Sequence, residues 1–436
     1  LEANEMHDKD RAKFCLEALK RAGADKCECF FTRSAGSELN AENGEISLFR
    51  TTFEVSVNLA AIKGQRRGEF ALNADDKDAI EKGAGEAVKL AESSPRDESY
   101  DIAECQPPAV LDNGVLKADK DAMYEKLSNF LRQAKERYPK ITIRNASINF
   151  VRKTVYYLNL NGVDFTSSKG IYRVMAMFSA RDGEKTSSFN YSSSSSTELK
   201  KEILEMASFD ILLKQSSEQT ETKFVNGKFS GDIIVTPDCL GDFTDFISQI
   251  SIGDAALISG TSVYKDKLGK RIASDVFSLY SKPVPGEICD GYFITSDGYK
   301  AENLTIVENG ILRSFLLSLY GSRKTGLERA PSSGGCYVVS PGSQNLAELV
   351  SSVKRGLLVA RFSGGRPNEN GDFSGIAKNS YYIEDGQIRY PVSETMISGN
   401  IPEMFLNIKG VSRERVDFGS SIFPWVSFAG INISGK

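Results

Sequence analysis

Histidine is the residue that catalytic sites use most, and this chain of 436 residues has one, His7, close to its start. A Ser-His-Asp or Cys-His system, a two-histidine zinc motif or a histidine acid/base pair each needs a firmly held imidazole. A side chain beside a fraying terminus cannot supply one, so most familiar hydrolase chemistries are disfavoured. Cys27 and Cys29 form a Cys-x-Cys pair. On an alternating strand both face the same side, where small cysteines pack as core more readily than they ligate metal. Ser262 with Lys265 and Ser351 with Lys354 match Ser-x-x-Lys, the spacing that sets a lysine one helical turn from a serine nucleophile. Two unrelated hits in one chain rich in both residues read as coincidence. Asp297, Glu302, Asp372, Glu384, Asp385 and Glu394 offer carboxylate pairs for acid/base work, but 58 acidic residues make such pairs inevitable. Trp425, the single tryptophan, follows Pro424 and reads as core or interface.

Two stretches carry more information. Residues 364–400 read as a Gly/Asn-rich loop, a strand turning at Asp385-Gly386, and a second strand ending in Ser398-Gly399-Asn400. Glycine and asparagine supply the positive backbone angles of sharp turns. The glycines do not open a helix and no Lys-Ser/Thr follows them, which excludes a phosphate loop. Asn370, Gly371, Asp372, Phe373 and Ser374 are the candidate substrate-binding residues, against the alternative of a purely structural loop. Residues 238–252 read as a helix with Phe243, Phe246 and Ile250 buried. It holds Asp242 and Asp245 but lacks the paired histidines, one turn apart, of a zinc peptidase helix. No catalytic residue and no metal ligand is assigned.

The elements that position these residues follow from composition and pattern. With 40% apolar and 26% charged residues, the chain reads as an ordinary soluble globular protein. Its length implies two or three domains. A net charge of −4 leaves no basic footprint for nucleic acid or an anionic membrane. No apolar run approaches the roughly 20 residues of a membrane span. The polar, acidic start does not resemble a secretory signal, although an upstream piece could have been removed. Seven cysteines, an odd number, fit a reducing compartment, so a cytoplasmic location is expected.

Helical spacing over 8–24 precedes strands at 26–33, 37–41, 45–52, 53–62 and 66–71, with Asn43-Gly44 as a hairpin turn, and a helix over 75–93. A connector at 94–114 leads to a similar series: a helix over 119–137, strands at 140–150, 154–160, 163–168, 171–180 and 186–192, and a helix over 197–216. Asn161-Gly162 is the second hairpin. This suggests an internal repeat of about residues 8–93 and 118–216. The expected fold class is α+β: an N-terminal α/β domain, 1–220, built as a duplicated helix/antiparallel-meander/helix unit. A second domain, 228–436, is mostly antiparallel β, barrel-like or an open sheet, with one clear later helix at 345–355.

The second half resembles the TldD/PmbA family, the candidate modulators of DNA gyrase, and its PmbA/TldE branch in particular. The resemblance is carried by residues 259–264 (SGTSVY), 296–327, 355–365 (RGLLVARFSGG), 370–375 (NGDFSG) and 385–400 (DGQIRYPVSETMISGN). It implies a cytoplasmic peptidase system acting on unfolded or peptide substrates. In that family the TldD branch carries a His-Glu-x-x-x-His helix and a cysteine near the C-terminus. This chain departs on both counts, around Asp245 to Ile250 and around Val416 to Ser420. The resemblance therefore implies a metal-free subunit, active only with a TldD-type partner that carries the zinc in a heterodimer. The alternative is a non-catalytic peptide- or protein-binding module, alone or as a homodimer.

Overall fold

The computed structural model of the protein describes residues 7–393 and 395–436. Helix α1 (Asp8–Arg21) opens with Asp8 and Asp10 and closes with Lys20 and Arg21, charges that complement the helix dipole. Strands β1 (Lys26–Glu42), β2 (Glu45–Lys63) and β3 (Arg66–Leu72) follow, then α2 (Lys77–Ser93), β4 (Ala109–Gly114) and α3 (Lys120–Arg137). The series continues with β5 (Ile141–Asn159), β6 (Asp164–Asp182), β7 (Lys185–Thr186), β8 (Asn190–Ser196) and α4 (Phe209–Glu218). These eight strands form one sheet in the order β3-β2-β1-β5-β6-β4, with β7 and β8 also pairing with β6. Neighbours are antiparallel except β4, which runs parallel to β6.

Several segments expected to be separate strands are single long ones. Gly36 suggests a break in β1, yet it pairs with Thr52 on one side and Val151 on the other. Ladder hydrogen bonds on both edges override its poor strand propensity. The same pairing carries β5 and β6 through 151–153 and 169–170. The connector at 94–114 contains β4 at its end. The helix expected over 197–216 is shorter: β8 runs to Ser196, a 3-10 turn spans Ile203–Glu205, and α4 starts only after Ala207, whose φ of 42° interrupts the helix.

A second sheet of thirteen strands begins with β9 (Lys228–Val235) and ends with the strand Ile422–Ser434. It is mostly antiparallel, with parallel pairing between β9 and the strand Arg355–Val359. One of the two sheets curls into a half-barrel and the other stays open, as an α+β chain was expected to allow. The later helix is confined to Leu346–Ser351, and short helices also occur at Asp254–Ser259, Leu319–Thr325 and Ile401–Leu406.

The N-terminal sheet is covered on both faces. Cys27, Cys29 and Phe31 on one face of β1 pack with α1 and α2. Phe30 and Tyr157 on the other face meet Ile294 and Tyr299 of the second half. Asp290 ties the two sheets together, accepting from Lys169 Nζ at 2.6 Å, Arg173 Nε at 2.9 Å and Ser195 Oγ at 2.9 Å.

Candidate functional site

β9 runs into Thr236 and Pro237, and proline at the first helical turn starts α5 (Pro237–Asp245). The helix widens into a π-helical turn, Phe246–Ser251. Cys239, Leu240, Phe243, Phe246 and Ile247 are fully or almost fully buried and anchor it to the sheet. The spacing of Asp238, Asp242, Asp245 and Gln249 places them on one other stripe. The sequence reading of a plain buried helix needs correction: this stripe, from Asp242 onward, lines a cavity of about 560 Å³.

The opposite wall comes from the strand Arg361–Gly364 and the loop through Gly365, Arg366 and Pro367, with Phe373 and Ile401 at the base. Phe243, Phe362 and Phe373 form an aromatic floor with ring centroids 5.4 to 5.7 Å apart. The Phe362 ring lies over paired Gly364 and Gly375, where any Cβ would come within 2.6 Å of it. Larger residues at those positions would fill the space the ring occupies.

Charge in the site is set by α5 and Arg361. Burial pushes the Asp238 carboxyl pKa up and Arg361 pulls it down; the ion pair spans 4.0 Å. Arg361 also donates from Nε to Asn190 Oδ1 at 3.0 Å and to the Tyr191 carbonyl, and its guanidinium stacks on the Tyr191 ring at 3.9 Å. It thereby fixes the foot of α5 to β8 of the other sheet. Surrounding protein pushes Asp242 up to about 6, against the pull of Arg361 and with a further push from Asp245. Burial also raises Asp245, while a 3.1 Å hydrogen bond from Gln249 opposes the shift. Near neutral pH the stripe can accept hydrogen bonds and can also hold a proton.

Of the five residues proposed from sequence, only Phe373 lines this cavity. Asn370, Gly371 and Asp372 build its supporting turn. Asn368 Oδ1 accepts from the backbone N–H groups of Asn370 and Asp372 at 3.0 and 2.9 Å. Asp372 accepts from Asn368 at 3.0 Å and from Asn400 at 2.9 Å. Asn400 Oδ1 accepts from Glu403 N–H at 3.2 Å and so caps the next helix. Ser374 is exposed on the adjoining strand. Sequence reasoning missed Arg361 and Arg366 and passed over the carboxylate stripe; the i, i+3 and i, i+4 spacing of acids along an otherwise apolar helix was the available signal.

The remaining candidates lie elsewhere. His7 is exposed at the start of α1. Cys27 and Cys29 are buried against α1, their sulfurs facing the carbonyls of Leu16 and Ala12. Ser262 Oγ accepts from Tyr264 N–H, and Ser351 donates to the Glu348 carbonyl. Asp297 forms a two-pronged pair with Arg329. Glu384 accepts from Tyr382, and Asp385 sits in its turn with a φ of 47°. Glu394 lies outside the described residues. Trp425 is buried beside Val416 and Val353. The segment around Asp417 to Gly419 docks on Ser195 and Cys289, away from α5.

Among the described residues no group of three or more His, Cys, Asp or Glu is placed to hold a metal ion. The α5 stripe does not fit zinc: it presents no imidazole or thiolate, and Cys239 is turned into the core with its thiol pKa well above the usual value.

The chain thus joins an α/β half to a β-rich half that bears a helix-walled cavity with a glycine-rich opposite wall. Residues 227–435 match the family model of the PmbA/TldA metallopeptidase C-terminal domain. Through that match the second half belongs to the TldD/PmbA family, and relatives named PmbA resemble the chain. It is 25% identical over 462 aligned positions to the metalloprotease PmbA homolog of Haemophilus influenzae, covering 99% of this chain and 98% of that one. Metalloprotease PmbA of Escherichia coli O157:H7 is 33% identical over 190 residues, 40% of this chain and 41% of its own. The crystal structure of TldE from Thermococcus kodakarensis superposes with a TM-score of 0.81 at 19% identity over 98% of this chain and 100% of that one, a likeness of fold. No helix among the described residues is long and apolar enough to cross a membrane.

Proposed function

We propose that this chain is the metal-free, PmbA/TldE-type subunit of a cytoplasmic TldD/TldE-type peptidase acting on unfolded or peptide substrates. The observation that carries the reading is the α5 stripe. In a family named for metallopeptidases, the cavity wall presents Asp242, Asp245 and Gln249, a set that accepts peptide N–H groups and does not suit zinc. Zinc then belongs to a TldD-type partner in a heterodimer, and no catalytic residue is assigned here. The turn from Asn370 to Ser374 shapes the cleft, with Phe373 in contact with substrate. Seven cysteines, all free, support a reducing, cytoplasmic setting. We take residues 1–220 and 228–436 as the two domains, because the chain changes sheets between α4 and β9.

Co-expression with a TldD-type protein, followed by metal analysis and a casein or peptide assay, tests the proposal. The pair should co-purify with zinc and cleave, while the isolated chain should bind no stoichiometric zinc and cleave nothing. Zinc-dependent proteolysis by the isolated chain refutes it. Recovery from the host as a homodimer without any TldD-type protein favours a non-catalytic peptide- or protein-binding module instead.

A further inference from the structure

Away from α5, the face of the N-terminal sheet that meets the second half contains an open charged pocket. Lys153 on β5 and Lys169 on β6 are direct cross-strand partners. With Thr32, Val155 and Ser167 they line a cavity of about 250 Å³, roofed by the segment 291–294. Lys169 donates to Asp290 and to the Gly291 carbonyl at 2.6 and 2.7 Å, but Asp290 is shared with Arg173. Lys153 has no ion pair or hydrogen bond to protein among the described residues. Its ammonium is disfavoured by partial burial and by Lys169 and Arg173. Lys169 and Arg173 share the one carboxylate of Asp290, and Lys153 beside them has none, which leaves a charge that an incoming anion would neutralise.

The pocket is also one end of a longer trough. It shares Phe30 and Asn58 with a neighbouring cavity of about 430 Å³. That cavity shares Glu28, Arg67, Glu69 and Ser296 with a third of about 450 Å³, whose lining includes Asp101, Asp254 and Asp297. The trough is thus basic at one end, aromatic in the middle and rich in carboxylates at the other. Lys153 pairs with Ser34 of β1, and Asn159 with Glu28, so the two ends are separated by roughly 20 Å, the length of about six extended residues.

We propose that this trough binds the C-terminal end of an extended peptide, its α-carboxylate held by Lys153 and Lys169 and its last, apolar side chain against Phe30, Val155 and Ile294. The occupant's class rests on the peptide reading above; the site is separate from the α5 cavity. A carboxylate matches both lysines as a charge-assisted acceptor. The apolar walls select a carboxylate carried on an apolar residue over a fully hydrated small anion.

Calorimetric titration of the full chain tests this with a hexapeptide ending in leucine, as free acid and as C-terminal amide. The acid should bind roughly tenfold or more tightly than the amide. Lys153→Gln should abolish that preference and Lys153→Arg should keep it, with wild-type unfolding monitored by Trp425 fluorescence as the check that both variants fold. Equal binding of acid and amide, no binding of either, or a preference untouched by Lys153→Gln overturns the proposal. Displacement of the peptide by inorganic phosphate at equal concentration also overturns it, marking a general anion site. Co-purification of the unaltered chain with a zinc-bearing TldD-type partner reads the peptidase-subunit proposal separately, since it does not depend on Lys153.

Discussion

Replacing Arg361 with alanine removes the cation that compensates Asp238, whose side chain is 6% exposed. It also removes the link from α5 to Asn190 and Tyr191 of the other sheet. Breaking one side of a buried ion pair costs about 3–5 kcal/mol, because the remaining charge stays desolvated. Burial already raises the Asp238 pKa and Arg361 opposes that, so the variant's pKa rises further. With the folded-state pKa above the unfolded value, the protonated acid is tolerated at low pH and stability is lost as pH increases. The penalty should therefore be large at pH 8 and much smaller at pH 4. Trp425, the single tryptophan, is buried in the same sheet as β9, so its fluorescence reports this region during urea unfolding. With a slope of about 2 kcal/mol per molar urea, the midpoint should fall by about 1.5–2.5 M at pH 8. Asp238→Asn in the Arg361→Ala background should recover a good part of that loss. A drop under about 0.5 M, or one independent of pH and unaffected by Asp238→Asn, would refute the assignment of a compensating charge to Arg361.

Other outcomes follow from the same geometry. Asp242, raised to about 6, holds its proton more strongly folded than unfolded, so it weakens the fold as pH climbs through 6. Solvent at this exposed position reduces the full effect to about 1 kcal/mol, and Asp242→Asn should gain that much at pH 8 and nothing at pH 4 in urea titrations. Asp290 is pushed up by burial but pulled further down by Arg173 and Lys169, to about 2. Its stabilisation, about 2 kcal/mol, is complete above the unfolded value and should drain away as pH falls from 4 to 2, a loss that Asp290→Asn should not display. Gly371 has a φ of +91°, and a Cβ there would lie 2.5 Å from Pro402 and 2.9 Å from Phe246. Gly371→Ala should cost about 2–3 kcal/mol by thermal or urea unfolding, and a neutral result would show that the turn relaxes freely.

Much of the fold was legible because its signals are local. Asn43-Gly44 and Asp385-Gly386 adopt the positive angles that mark tight turns, and the apolar stripes of α1, α2 and α3 match their buried faces. Strand lengths were not legible, since Gly36 and the stretches at 151–153 and 169–170 are held extended by partners up to more than a hundred residues away. The site divides in the same manner. Phe373 and the loop at 364–367 stood in the stretch singled out first, whereas Arg361 looked like one charge among many.

The order of amino acids alone determined that histidine-based chemistry is scarce here, that the class is α+β, and that the second half carries the TldD/PmbA signature. Those properties depend on which residues are present and on their short-range spacing. Only the tertiary structure decided that Asp242 and Asp245 face a cavity, that Arg361 joins α5 to β8, and that Lys153 and Lys169 meet across two strands beneath 291–294. Burial, shared counter-charges and pocket walls arise when distant segments are brought together, and no local pattern encodes which charges remain unpaired once they are.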